Sequence, residues 1–179
     1  MPMRFSAQTA QPVPWKNGSG VTRELASHAE GGRMVWRLSL AEISQDGPFS
    51  AFPGLARIHC ITEGAGHVLS NSGTTLEARP LEPLAFEGSL DLCCRLRNGP
   101  CTAFNVIYEP ALVTVGACIL REGKVSTVKG QHALFVVAGS LQITGTGRFD
   151  PGEGILTESA AIGTVSNGGA VIQVQFSPV

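Results

Sequence analysis

Apolar and polar residues alternate along this chain in short runs broken by glycine and proline. Met34-Val35-Trp36-Arg37-Leu38-Ser39-Leu40 puts Met34, Trp36, Leu38 and Leu40 on one side of an extended strand and Val35, Arg37 and Ser39 on the other, because successive strand side chains point to opposite faces. Leu55 to Ile61 alternates likewise, with Arg57 and His59 on one face and Ile58 and Cys60 on the other. Glu63-Gly64-Ala65-Gly66 reads as a hairpin turn into His67-Val68-Leu69-Ser70. A second hairpin is expected from Leu90–Arg97 through Asn98-Gly99-Pro100 into Ala103–Tyr108. No sustained helical period occurs, so the pattern predicts an all-β chain with little helix.

The pattern also repeats. Ile58 to Gly66, a strand, Leu76 and a proline-bearing approach to Phe86-Glu87-Gly88 form one unit. Leu134 to Ile143, Gly145-Thr146-Gly147 and Phe149-Asp150-Pro151-Gly152-Glu153-Gly154 into Ile155-Leu156 form another. Strand, glycine turn, strand, glycine turn and Pro-Gly turn in that order predict two jelly-roll barrels. The expected units are 1–109 and 110–179, divided at Glu109-Pro110.

Composition removes several function classes. Formal net charge is -1, with 13 basic and 14 acidic residues and no basic stretch, so neither nucleic acid nor an anionic membrane is an expected partner. Apolar stretches are broken well before a membrane span's length. The opening Met1-Pro2-Met3-Arg4 lacks the basic-then-apolar pattern of a signal peptide, so the cytoplasm is the expected location. Five cysteines without a CxxC read as reduced thiols rather than a disulfide framework or zinc site. The four histidines, His28, His59, His67 and His132, include no HxH. A metal normally needs three or four ligands, so no metal or other cofactor is expected. No GxSxG or phosphate-cradling loop occurs, and no catalytic residue is assigned.

The polar faces suggest a pocket. Thr22 and Glu24 share a strand face, as do Arg37 and Ser39, Arg57 and His59, and Ala103, Asn105 and Ile107. Lining one barrel, these would set a cationic cluster inside an apolar cup suited to a small carboxylate, which guanidinium groups grip with paired hydrogen bonds. Glu24 and Asn105 would read an NH or amide end. Phe49 and Phe86 would form walls, with Trp15 and Asn17 as a rim or lid on the glycine-rich loop. Competing structural readings are an internal Arg57–Glu24 ion pair, tryptophans serving only as core, and Asn17-Gly18 as a plain turn. His59 reads either as a hydrogen-bonded barrel histidine or as a ligand contact. His67, beyond its turn, reads as solvent-exposed.

Three segments carry a family resemblance: Trp15-Lys16-Asn17-Gly18-Ser19-Gly20-Val21-Thr22-Arg23-Glu24, Trp36-Arg37-Leu38-Ser39-Leu40-Ala41, and Gly47-Pro48-Phe49-Ser50-Ala51-Phe52-Pro53-Gly54 with Arg57 beyond. Phe86-Glu87-Gly88 and Phe104-Asn105-Val106 match more weakly. The chain resembles the HutD/Ves family of bacterial bicupins. The resemblance covers most of residues 14 to 108 and implies a bicupin fold and a link to histidine utilisation. Two departures stand out: Ala103 near the place of the family's Asp before Asn105, and Ser19 in place of the opening loop's third glycine.

Motif and faces together give a ligand-binding set of Trp15, Lys16, Asn17, Thr22, Glu24, Phe49, Ser50, Arg57, His59, Phe86 and Asn105. The expected function is binding of a carboxylated metabolite, such as urocanate or formiminoglutamate, to regulate histidine utilisation. The alternative is a metal-independent isomerase or hydrolase acting on such a metabolite, with Glu24 or His59 as general acid/base. A third reading is an assembly role through edge strands, which also leave a homodimer open.

Overall fold

In the computed structural model, which describes residues 2–179, the chain is built from strands, with no helix among the described residues. It forms two compact β units, the bicupin arrangement that the resemblance implies. One unit is Gln11–Leu112; the other joins Val113–Val179 to the residues up to Ala10. The division therefore falls between Leu112 and Val113, and the opening strand is not part of the first unit as the 1–109 division had it. Met1 itself lies outside the described residues.

The unit Gln11–Leu112 has two antiparallel sheets. The larger runs Pro12–Pro14, Gly20–Glu30, Arg33–Ile43, Cys101–Tyr108, Ala56–Glu63, Leu84–Glu87. The smaller runs Gly47–Phe49, Leu92–Leu96, His67–Ser70, Thr75–Ala78. Ile43, Ile61, Cys101 and Ala103 from the first pack with Phe49, Leu69, Ala78, Leu92 and Cys94 from the second. Burying these apolar faces against each other drives the closure.

Both expected hairpins prove to be corners. Ala56–Glu63 and His67–Ser70 lie in different sheets, as do Leu92–Leu96 and Cys101–Tyr108. The glycine turns carry the chain across the barrel rather than back along a ladder. Gly64 and Gly66 take φ of 85° and 82°, and a Cβ on Gly66 would sit 2.1 Å from the Ala78 carbonyl oxygen. Only glycine allows that bend and approach. The consequence is that His59 and His67 face each other across the interior.

Register places the polar faces as the alternation predicts. Asn105 lies between Ser39 and His59, and Ile107 between Arg37 and Arg57. Thr22 shares that face one row further on, opposite Ala41. A bulge between Glu24 and Ala26 then inserts Leu25, which shifts the strand's phase.

In the other unit, Ile162–Pro178 pairs with Val113–Ser126, Gln131–Ala138 and Leu141–Ile143. Glu153–Thr157 takes Gln131–Ala138 on one side and Met3–Ser6 on the other. Phe5 stacks on Phe135 at 6.4 Å, over a Gly154 whose Cβ would lie 2.3 Å from the Phe5 ring. A four-residue strand with one core residue carries too little pattern to announce its distant partner. Leu134, Val136, Leu141, Phe149, Ile155 and Val171 are part of this unit's core. No helix among the described residues is long and apolar enough to cross a membrane.

Candidate functional site

Four neighbouring strands and the loop after Phe49 form a small cup in the unit Gln11–Leu112, with a free volume of ≈ 40 Å³. Thr22, Arg37, Ser39, Ala41, Arg57, Asn105 and Ile107 line its floor and sides. Trp15, Phe49, Ser50 and Phe52 complete the lining.

Arg57 dominates it. The residue is 6% exposed. Its Nε and Nη2 donate to Asn105 Oδ1 at 3.1 and 2.8 Å, and Nη1 donates to the Ser50 carbonyl at 3.4 Å. Phe49 lies 4.2 Å beneath the guanidinium, with Phe52 and Phe86 at 5.6 and 5.8 Å. Among the described residues no carboxylate forms an ion pair with it. Burial, and then the positive charge of Arg37, push its pKa down to about 9. It therefore stays mostly charged at neutral pH. A guanidinium has five N–H donors; three are used here, leaving one on each terminal nitrogen without a protein acceptor. Arg37 adds a third unmet donor to the wall chemistry, since its buried Nε has no hydrogen-bond partner.

The Arg57–Glu24 ion pair of the competing structural reading is absent. Glu24 is exposed and accepts from Ser27 Oγ at 2.7 Å, on the far side of the bulge. Trp15 is a rim residue rather than plain core: its Nε1 donates to Thr22 Oγ1 at 2.7 Å. Its ring packs so closely on Gly20 that an added Cβ would lie 3.0 Å away. Asn17 Oδ1 accepts from the Ser19 backbone N–H at 3.1 Å and hydroxyl at 2.7 Å, so it folds the loop and does not line the cup. Lys16 is exposed and also outside the lining. Of the expected set, the cup brings together Trp15, Thr22, Phe49, Ser50, Arg57 and Asn105. Phe86 and His59 pack behind it, 6.5 Å apart. Phe52 and Ala41 were missed; Ala41 was legible from its alternation with Arg37 and Ser39, whereas Phe52 sits in a loop with no period to read.

A second polar feature starts behind the cup. His59 Nδ1 lies 2.6 Å from Asn105 Oδ1, and its Nε2 lies 3.1 Å from His67 Nε2. His67 Nδ1 lies 3.4 Å from Cys101 Sγ. His67 is thus fully buried, not solvent-exposed. Burial, with the nearby Arg57 charge, pushes its pKa down to about 4 and holds His59 well below the ordinary histidine value. Both rings are neutral. Burial pushes the Cys101 thiol up to about 11. Cys101 also lines a separate open cleft of ≈ 520 Å³ with Glu42, Ser44, Glu63 and Thr102. That cleft lacks the cup's convergent free donors, and Glu42 is engaged by Arg23. Among the described residues no group of three or more His, Cys, Asp or Glu side chains is placed to hold a metal ion.

Comparison with known proteins matches residues 7–172 to the HutD family. An uncharacterised 21.2 kDa protein in the hutC 3′ region of Pseudomonas putida is 39% identical over 109 residues, 58% of this chain and 56% of that protein. The match thus spans little more than half of that relative. Protein Ves of Escherichia fergusonii is 28% identical over 146 residues, 80% of this chain and 72% of that one. The solved structure of HutD from Pseudomonas fluorescens SBW25 superposes with a TM-score of 0.88 at 26% identity over 100% of both chains.

Proposed function

This chain belongs to the HutD family, and from that premise we propose that its cup binds the carboxylate of a small metabolite. One observation carries the reading: Arg57 is a buried, charged guanidinium with no acid beside it and a free N–H on each terminal nitrogen. A buried charge is ordinarily paired, so the missing partner here is the charge of a ligand. The free volume of ≈ 40 Å³ is a few times the ~10–15 Å³ that one water needs by the same measure. It admits a carboxylate head and little else, so the body of the ligand lies over the Trp15–Phe52 rim.

Urocanate and formiminoglutamate fit that description, each carrying a carboxylate on a longer polar body. The family's link to histidine utilisation, and the hut-region position of the Pseudomonas putida relative, favour them over other acids. Occupancy would act as a cytoplasmic signal of pathway load, by stabilising one state of the 14–20 loop over another.

The enzyme alternative finds less support. Glu24 is outside the cup, and both ring nitrogens of His59 are engaged within the protein. The test is thermal shift and calorimetry with urocanate, formiminoglutamate and their methyl esters. The acids stabilise the protein and the esters do not. Equal response to acid and ester, or no response to either, would reject the reading.

A further inference from the structure

The four buried contacts from Arg57 to Cys101 admit one arrangement of hydrogens. Arg57 has only hydrogens to give, so the Asn105 atom facing Nε and Nη2 is its carbonyl oxygen. Asn105 Nδ2 accordingly donates to the Ala103 carbonyl at 3.2 Å. The same oxygen lies 2.6 Å from His59 Nδ1, which must then carry a hydrogen. A neutral imidazole protonated at Nδ1 has a lone pair at Nε2. That lone pair faces His67 Nε2 at 3.1 Å, so His67 is the Nε2–H tautomer. His67 Nδ1 is left as an acceptor, 3.4 Å from Cys101 Sγ. The thiol, which burial keeps protonated, is the donor. From Cys101 through His67 and His59 every link points the same way, to Asn105 Oδ1, which Arg57 meets with its own donors from the other side.

We infer that His67 and Cys101, which do not line the cup, are positioning residues for it, acting through this one-way hydrogen-bond relay. The inference rests on the proposed binding role of Arg57. Its physical basis is the cost of a reversed link. If Cys101 ceases to donate, His67 Nδ1 becomes a buried acceptor without a partner, which is costly. Without that donor the Nε2–H tautomer of His67 loses its advantage, and the Nδ1–H tautomer becomes populated. Its Nε2 lone pair then opposes that of His59. His59 in turn is pressed to give up its Nδ1 hydrogen, leaving Asn105 Oδ1 against a second lone pair. Asn105 is the residue that holds the Nε–Nη2 edge of Arg57, so the fork loses its fixed orientation. Outer hydrogen-bond partners that set a histidine's tautomer act in the same way at metal centres, where removing one typically costs 10–100-fold.

Two measurements test it. Long-range 1H–15N correlation on the ligand-free protein at neutral pH reads the tautomers directly. His59 is expected as Nδ1–H and His67 as Nε2–H; the opposite tautomer on either ring, or averaging between the two, overturns the relay. Calorimetry with urocanate then compares Cys101→Ala with Cys101→Ser, whose hydroxyl can still donate. The alanine variant is expected to bind about tenfold more weakly, with the His67 signals moved, and the serine variant to recover most of the loss. Unchanged binding in the alanine variant, or an equal loss in both, overturns the positioning role. If the wild type binds no carboxylate at all, the proposed function fails, while the tautomers still judge the relay on their own. The same spectra need no variant to fold.

Discussion

A guanidinium held out of water beside phenylalanine rings costs the fold several kcal/mol that an amide oxygen only partly offsets. That expense makes Arg57 open to a decisive substitution. Arg57→Met keeps bulk and removes the charge. Apo melting temperature should hold or rise, because replacing buried charge by apolar volume is often neutral or stabilising, while the stabilisation by urocanate disappears. Arg57→Lys keeps charge without the planar fork and should weaken carboxylate binding by about 1–3 kcal/mol. Apo melting and ligand-induced shift measured on the same variants separate these outcomes. A large apo loss with binding intact would mean the charge serves the fold. At this scale alternation revealed which residues share a face, which is why Arg57, Asn105 and Thr22 come together. It did not reveal Glu24's exclusion: Glu24 keeps the phase of Thr22, opposite Ser39, and its exposed carboxylate nonetheless turns to Ser27. It also could not say that His67 points inward.

That last point belongs to the elements. A strand, two glycines and another strand look the same in sequence whether the chain doubles back along one sheet or crosses to the next. The turn at 63–66 crosses, and its closest approach is at Gly66. Gly66→Ala would drive a Cβ to 2.1 Å from the Ala78 oxygen at φ 82°, so it should cost roughly 3 kcal/mol or more. Gly31→Ala is the internal control: φ is 55° but nothing lies within 4 Å, so about 1 kcal/mol is expected. Urea unfolding of both variants checks the pair, and equal losses would show that strain alone decides. The strands themselves were legible from their period. Their assignment to sheets was not, since that depends on packing between Phe49, Leu69 and Leu92 on one side and Ile43 and Ile61 on the other.

For the whole molecule, the buried histidines set a dependence on acidity. The native state favours the neutral His67 ring, whose pKa is near 4 rather than 6.5. The unfolded chain therefore binds more protons between those values, and stability falls as pH drops through that window. It is fully present above about 6.5. His67 alone accounts for roughly 3 kcal/mol of the loss, and His59 shifts in the same direction. Urea midpoints at pH 7 and 4.5 should show His67→Gln losing its disadvantage at the lower pH; a constant gap would refute the assignment. A separate expectation concerns the opening strand. Removing the residues before Gln11 takes away Met3–Ser6 and strips one edge of Glu153–Thr157. Amide exchange should quicken there and leave Ala56–Glu63 protected. The same pairing bears on how the protein is made. Gln11–Leu112 is an unbroken stretch, whereas Met3–Ser6, translated ahead of it, must wait, single and unpaired, for Glu153–Thr157, translated after it. Until then its backbone is open to any exposed edge it meets, and a chain released early carries that hazard permanently.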